Sequence, residues 1–408
     1  MAMKVRAFVS SFVVLATVCL VGCGHYTCGT TFGNSTCTPS GGGVSLGGGS
    51  GSIGVSAMVY FNEVTAQGSQ MAAEGLNIAN SQTFAPVSSF VSPVLPATGD
   101  GGIAIVNKQF LYMPFLNDTI YGFSIDATSG SLTPLPTSPT TLSSPATFPS
   151  CVAVDPSGAF LFVGGSSGIA VYSVDATSGA LVLTGTATTA GAPLQMTTDG
   201  QGKFLYAVNG LGIYAFSYGG TGILSSVSGS PFNPFSTASM VQVLGESTGK
   251  FLIGTTALAG GGSGIVDRSL YVMSISSTGA LTATSGSPVA TVYPPVYIAV
   301  SPNGSFVYTF NEETDQTTNL IVVDPMEGYA IGTSGTLTPV SGSPFTQETA
   351  TIGEFDQSGQ YIFAEGGIPG SSVGGTFAYA ASTTSGGLTS TLPHAGAPPG
   401  HFAVTDLP

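Results

Sequence analysis

Three histidines and six Lys or Arg side chains are the only basic groups in this 408-residue sequence, so chemistry that needs a base or a positive charge has few places to sit. His401 follows Pro399 and Gly400 near the C-terminus. An imidazole titrates near neutral pH and can take a proton from water. Glu348, Glu365 and His394 fall in connections expected on the same side of the molecule and could assist it. Arg268 is the one cation expected there, while Lys108, Lys203 and Lys250 fall in turns on the opposite side. The densest acidic stretch, Asn311, Glu312, Glu313 and Asp315, offers closely spaced oxygen ligands that could hold calcium, without the glycine-containing loop of an EF-hand. Asp267 beside Arg268 reads as a surface pair on a long loop. Nucleophile-elbow, His-Glu-x-x-His and phosphate-loop patterns are absent.

The elements that must position these groups are repeated. Phe110-Leu111-Tyr112, Phe160-Leu161-Phe162, Phe204-Leu205-Tyr206, Phe251-Leu252-Ile253, Phe306-Val307-Tyr308 and Tyr361-Ile362-Phe363 recur at intervals of roughly 45 to 55 residues, the range of propeller blades. Gly158, Gly202, Gly249, Gly304 and Gly359 stand two residues before the last five, and Lys108 takes that place in the first. A second turn recurs as Ser129-Gly130, Ser178-Gly179, Thr221-Gly222, Thr278-Gly279, Ser334-Gly335 and Gly386-Gly387. In the clearest unit Cys151 to Val154, Phe160 to Gly164, Ile169 to Val174 and Leu181 to Thr184 form a four-stranded meander.

Six such units are complete, and the remainder is divided between the ends. Ala57 to Phe61, Leu76 to Ile78 and Phe84 to Val87 read as second, third and fourth strands, and His401 to Val404 as a first strand. Pairing both termini in one sheet removes two exposed edges. The expectation is an all-β, seven-bladed β-propeller of four-stranded antiparallel blades over residues 55–408, its closing blade shared by both termini. Length variation concentrates in the second-to-third and inter-blade connections, Ala257 to Asp267, Asn311 to Thr318 and Glu365 to Gly375 among them, which makes that rim the functional face.

Charge narrows the partners. Only 6% of residues are charged and the net charge is -14, so phosphate backbones and anionic lipid head groups are repelled and nucleic acid is excluded as a partner. Residues 1–22 carry Lys4, Arg6 and an apolar run ending in Leu20-Val21-Gly22-Cys23, which resembles a bacterial lipobox. That implies export, lipidation of Cys23, and an outer-membrane or cell-surface lipoprotein. Residues 23–54 are too rich in Gly, Ser and Thr to bury a core and read as a tether, in which Cys28 and Cys37 could close a disulfide. Cys151 is left over, in an apolar strand where a thiol is buried and inert.

The strand-Asp/Ser-Pro-x-Gly-aromatic pattern, with Asn117-Asp118-Thr119-Ile120 before a third strand and Ser228-Gly229-Ser230-Pro231-Phe232 or Ser341-Gly342-Ser343-Pro344-Phe345 after a fourth, resembles the lactonase-type seven-bladed propellers. That family includes 6-phosphogluconolactonase-like proteins and YVTN-repeat surface proteins. Counting back seven residues from each turn glycine, or from Lys108, reaches Gly101, Cys151, Gln195, Gln242, Tyr297 and Ile352, with His401 at the matching place in the closing blade. These positions should ring the channel mouth, which makes Gln195, Gln242 and Tyr297 candidate ligand-binding residues, joined by Arg268 and His394 from connections on the same rim. The resemblance implies Pro-Arg-His at such a strand start, where this chain has Pro399-Gly400-His401. Opening a lactone needs a base and a donor for the developing oxyanion. With the arginine missing, the favoured expectation is a surface lipoprotein that binds a small ligand, polysaccharide or surface protein without chemistry. The alternative is a lactonase with His401 as base, aided by Glu348 or Glu365. Neither requires a cofactor, and calcium would enter only through Glu312, Glu313 and Asp315.

Overall fold

In blades 2 to 6 the first-to-second-strand turns are closed by a side chain at the first turn residue. Asp155 accepts from the Phe160 N–H at 2.8 Å, Glu246 from Lys250 and Phe251, Ser301 from Phe306, and Asp356 from Tyr361. Such caps satisfy backbone donors where the strand ladder ends. The turn then needs a left-handed residue. Gly158 supplies it at φ 70°, and Lys108 adopts the same region at φ 59° without being glycine.

The computed structural model describes residues 56–65, 68–77, 83–87, 90–96, 99–235, 238–256, 267–314, 321–367, 374–395 and 401–407. Seven antiparallel sheets follow one another around a ring, and the one helical element among the described residues is a single 3-10 turn at Gly219–Thr221. The chain is therefore a seven-bladed all-β propeller, as expected. Blade 1 has its innermost strand at Ala104–Val106, blade 2 at Cys151–Val154, blade 3 at Gln195–Thr198, blade 4 at Met240–Gly245, blade 5 at Pro295–Val300 and blade 6 at Ile352–Phe355. In the closing blade Phe402–Asp406 pairs antiparallel with Ala57–Thr65, setting Val404 opposite Val59, and Gly68–Asn77 and Thr83–Pro86 complete the sheet.

The two sequence repeats turn out to be one contact. The first residue of five of the six triplets, Phe110, Phe160, Phe204, Phe251 and Phe306, packs on the third-to-fourth-strand turn glycine of the next blade, so that a Cβ on Gly179 would lie 2.7 Å from the Phe110 ring. Where the triplet ends in tyrosine, its hydroxyl also donates to that glycine's carbonyl, as Tyr112 does to Gly179 at 2.6 Å and Tyr308 to Gly386 at 2.6 Å. Apolar clusters accordingly form between blades. One joins Phe110, Tyr112 and Leu135 of blade 1 to Leu161, Val163 and Tyr172 of blade 2.

Two expectations are corrected. The Ser-Pro motif does not follow the fourth strand but divides it, since Leu337–Pro339 and Phe345–Thr349 both pair with Ile321–Ile331. The division leaves a third-strand N–H without a ladder partner, and the motif serine takes it: Gly328 N–H donates to Ser343 Oγ at 3.0 Å and Ala215 N–H to Ser230 Oγ at 2.9 Å. Asn311, Glu312 and Glu313 were expected in a loop, yet they continue the strand Phe306–Thr314 opposite Ile321–Ile331. Pairing satisfies backbone groups that a loop would leave to solvent.

Candidate active site

His401 immediately precedes the innermost strand of the closing blade, and its carbonyl accepts from Asn62 N–H at 2.9 Å. Asp100 lies just ahead of the innermost strand of blade 1, held by a bridge to Phe115. Ring closure brings these two blades together, so Nδ1 of His401 meets Oδ1 of Asp100 at 2.7 Å. The aspartate side chain is 3% exposed and the histidine 15%. Gly102 N–H donates to the same carboxylate at 2.7 Å, and the Asn62 amide donates to Oδ2.

Burial by itself would raise the Asp100 carboxyl. The charge and hydrogen bond of His401, with the Gly102 and Asn62 donors, outweigh burial and hold it below the ordinary carboxylate value. An ionised Asp100 fixes the tautomer of His401 with the proton on Nδ1, which puts the basic lone pair on Nε2. A buried carboxylate that orients an imidazole and stabilises its protonated form is the arrangement a general base requires. Neither Asp100 nor Asn62 was singled out in the sequence. The available signal was that Asp100 directly precedes Gly101, the blade 1 counterpart of His401.

The other candidates are dispersed. Gln195 Oε1 accepts from Val243 N–H at 3.1 Å, and Gln242 accepts from Ile298 N–H at 2.7 Å while donating to its carbonyl, so both amides tie neighbouring innermost strands together. Tyr297 is half-buried and packs edge-on against Phe310 with ring centroids 6.2 Å apart. Glu365 lies in the second strand of blade 6, opposite Ile352. Glu348 and His394 fall within strands, but their side chains lie outside the described residues, as do Asp315, Cys23, Cys28 and Cys37. Cys151 is buried and free, donating weakly to the Pro193 carbonyl at 3.5 Å.

Arg268 and Asp267 do not pair with each other. Arg268 binds Glu313 at 2.7 Å and the Val292 carbonyl, whereas Asp267 accepts from Thr256 at 2.8 Å and Tyr271 at 2.7 Å. Successive strand residues face opposite sides of a sheet, so Glu312 and Glu313 cannot close on one ion. Among the described residues no group of three His, Cys, Asp or Glu side chains is spaced to hold a metal. Glu312 is instead buried, and burial pushes its carboxyl up to about 7. Burial, with repulsion from Glu313 and Glu327 against attraction from Arg268, raises Asp324 to about 6.

Residues 103–211 match the sequence model of the family described as "Lactonase, 7-bladed beta-propeller". No curated protein sequence matches the chain. Among solved structures it is similar to the periplasmic gluconolactonase of Pseudomonas aeruginosa, at 15% identity over 86% of this chain and 100% of that one, with a TM-score of 0.62. A putative 6-phosphogluconolactonase from Bacteroides uniformis is 18% identical over 86% and 99% of the two chains, with a TM-score of 0.59. A functionally unknown protein from Desulfotomaculum acetoxidans, 12% identical over 85% and 98%, reaches 0.58. The resemblance to lactonase-type seven-bladed propellers is thus borne out, and at these identities the likeness speaks for the fold.

Proposed function

We propose that this chain is a lactone hydrolase in which His401, oriented by Asp100, acts as general base. The observation that carries the reading is the 2.7 Å contact between Nδ1 of His401 and the buried Asp100, two residues that reach the functional rim from opposite ends of the chain. The match of residues 103–211 to a lactonase family supports it over the binding-only alternative. In the proposed reaction Nε2 takes a proton from water as the oxygen attacks the lactone carbonyl carbon. The ring C–O bond then breaks, and the imidazolium returns the proton to the leaving alkoxide, giving a hydroxy acid. Asp100 stabilises the imidazolium while that charge exists. Glu365, in the neighbouring blade, and Glu348 remain candidate assistants.

Hydrolysis of an aldonolactone panel by residues 55–408, compared with His401→Ala and Asp100→Asn, tests the assignment. Activity that falls about a hundredfold or more in His401→Ala is the expected result, within the range that positioned acid–base catalysis supplies. Equal rates in the parent and His401→Ala would overturn it.

The site is proposed to work outside the cytoplasm. Residues 1–22 would act as a lipoprotein signal, Cys23 as the lipid-bearing residue, and residues 23–54 as a tether containing a Cys28–Cys37 disulfide, anchoring the propeller at an outer membrane or cell surface. The periplasmic location of the similar Pseudomonas aeruginosa gluconolactonase supports export. Cys23→Ser should move the protein from the membrane fraction to the soluble one; membrane retention of that variant would refute the anchor.

A further inference from the structure

The connection from blade 1 to blade 2, which packs against the residue after Asp100, carries an aromatic side chain in an improbable setting. Phe148, in the connection from blade 1 to blade 2, is 63% exposed and has a φ of 51°. Bulky side chains rarely adopt that region, and it persists only where the surroundings impose it. Three contacts impose it here. Phe148 N–H donates to Asp118 Oδ1 at 2.7 Å, the Thr147 carbonyl accepts from Ser166 N–H at 2.8 Å, and Pro149 lies so close to Gly101 that a Cβ there would be 2.9 Å from its carbonyl carbon. Gly101 is the residue after Asp100. The connection is therefore clamped from both sides and built against the residue that follows the proposed orienting carboxylate.

Leu116 belongs to the same neighbourhood. It is 43% exposed, its N–H donates to the Gly99 carbonyl at 2.9 Å, and its side chain lies 3.3 Å from where a Cβ of Gly99 would stand. Gly99 precedes Asp100 and Gly101 follows it, so Leu116 and Pro149, the residue after Phe148, pack on either side of the aspartate. Val91 and Val94, in the stretch leading to Asp100, are exposed as well. Among the described residues no lysine or arginine lies in this neighbourhood. Arg268 belongs to blade 4, three blades round the ring from His401, and is engaged by Glu313. Lys108, Lys203 and Lys250 lie in first-to-second-strand turns on the far rim. Asp100 and Asp118 leave the neighbourhood acidic.

We propose that Phe148 and Leu116 form a specificity wall for this site, and that its substrate is an uncharged lactone bearing an apolar substituent, which rests on that wall while the ring carbonyl faces His401. The inference builds on the lactone hydrolase reading. It follows from two features acting together: an exposed apolar surface is used where an apolar group can cover it, and an anionic substituent would enter an acidic neighbourhood in which no described lysine or arginine pairs it.

The test is a homologous series of δ-lactones with alkyl substituents of two to eight carbons, run beside glucono-δ-lactone and its 6-phosphate on residues 55–408. We expect kcat/KM to rise about twofold per methylene, roughly half of what full burial of the group would give on a logarithmic scale, and the phosphorylated sugar lactone to be turned over more slowly than the neutral one. Phe148→Ala should flatten the series, whereas Ile223→Ala, an exposed apolar residue on the opposite rim, should leave the slope intact. Binding of the matching alkyl lactams, followed by calorimetry, separates the two readings. If lactam affinity rises with chain length and loses that rise in Phe148→Ala while no lactone is hydrolysed, the specificity wall stands and the hydrolase reading falls. Hydrolysis with a flat chain-length profile, a preference for the phosphorylated lactone, or lactam binding indifferent to Phe148→Ala would each overturn the inference.

Discussion

The Tyr60 hydroxyl donates to the Gly130 carbonyl at 2.7 Å, across 70 residues of sequence and across the seam between the closing blade and blade 1. Tyr112 to Gly179, Tyr206 to Gly279 and Tyr308 to Gly386 are the same bond at three other seams. Burial raises the Tyr60 phenol above its ordinary value, so it stays a neutral donor. Tyr60→Phe should cost about 1–2 kcal/mol, the net worth of a buried hydrogen bond whose acceptor is left without that donor. Chemical denaturation measures it. Tyr60→Phe combined with Tyr308→Phe should give the sum of the single losses, because the two seams share no partner; an unchanged midpoint in both would show the bonds to be idle.

Loss of the closing strand should be far more damaging. Phe402–Asp406 is the innermost strand of its blade and pairs with Ala57–Phe61, and Leu407 N–H donates to the Ser56 carbonyl at 3.0 Å. Removal of residues 400–408 exposes the edge of Ala57–Phe61 and uncovers Val59, Phe61 and Phe363 in the adjoining cluster. The melting temperature should fall sharply, with a rise in aggregation. A truncated chain that melts like the parent would exclude this mode of closure.

Glu312 makes stability pH-dependent in a defined direction. Its folded value of about 7 lies above its ordinary value of 4.5, so the native state holds the proton more tightly than the unfolded chain. Stability is then full below about pH 4.5, declines as pH rises, and levels off above about pH 7, a loss on the order of 3 kcal/mol. Glu312→Gln removes that decline and should stabilise the protein at pH 8 relative to pH 5. Parallel melting curves of parent and variant over this range would contradict the assignment.

Asp100 acts in the opposite sense. Its folded value lies below its ordinary value of 3.8, so its contribution is present above about pH 4 and is lost as pH falls through the folded value. Asp100→Asn should bring acid unfolding to a higher pH. The same variant should also shift the pH–rate profile of lactone hydrolysis, which an aspartate with a purely structural role would leave in place. Rescue by Asp100→Glu of the profile, more than of the melting temperature, would favour positioning over packing.

The repeat, the turn glycines, the strand order and the joining of the chain ends could all be read from the sequence, because they depend on backbone φ, on alternation along strands and on hydrogen bonds spanning a few residues. Lys108 takes a turn position by its place in the repeat alone, and it has the backbone of a turn residue. The rim of blade 5 departs from its sequence pattern: polar Asn311 and Glu312 resemble loop residues, yet strand pairing carries them into the protein interior. Asp100 and His401 are separated by 301 positions, and no local pattern connects them. Their contact exists because closing the ring sets the last innermost strand beside the first, and only that closure determines which carboxylate a single imidazole will find.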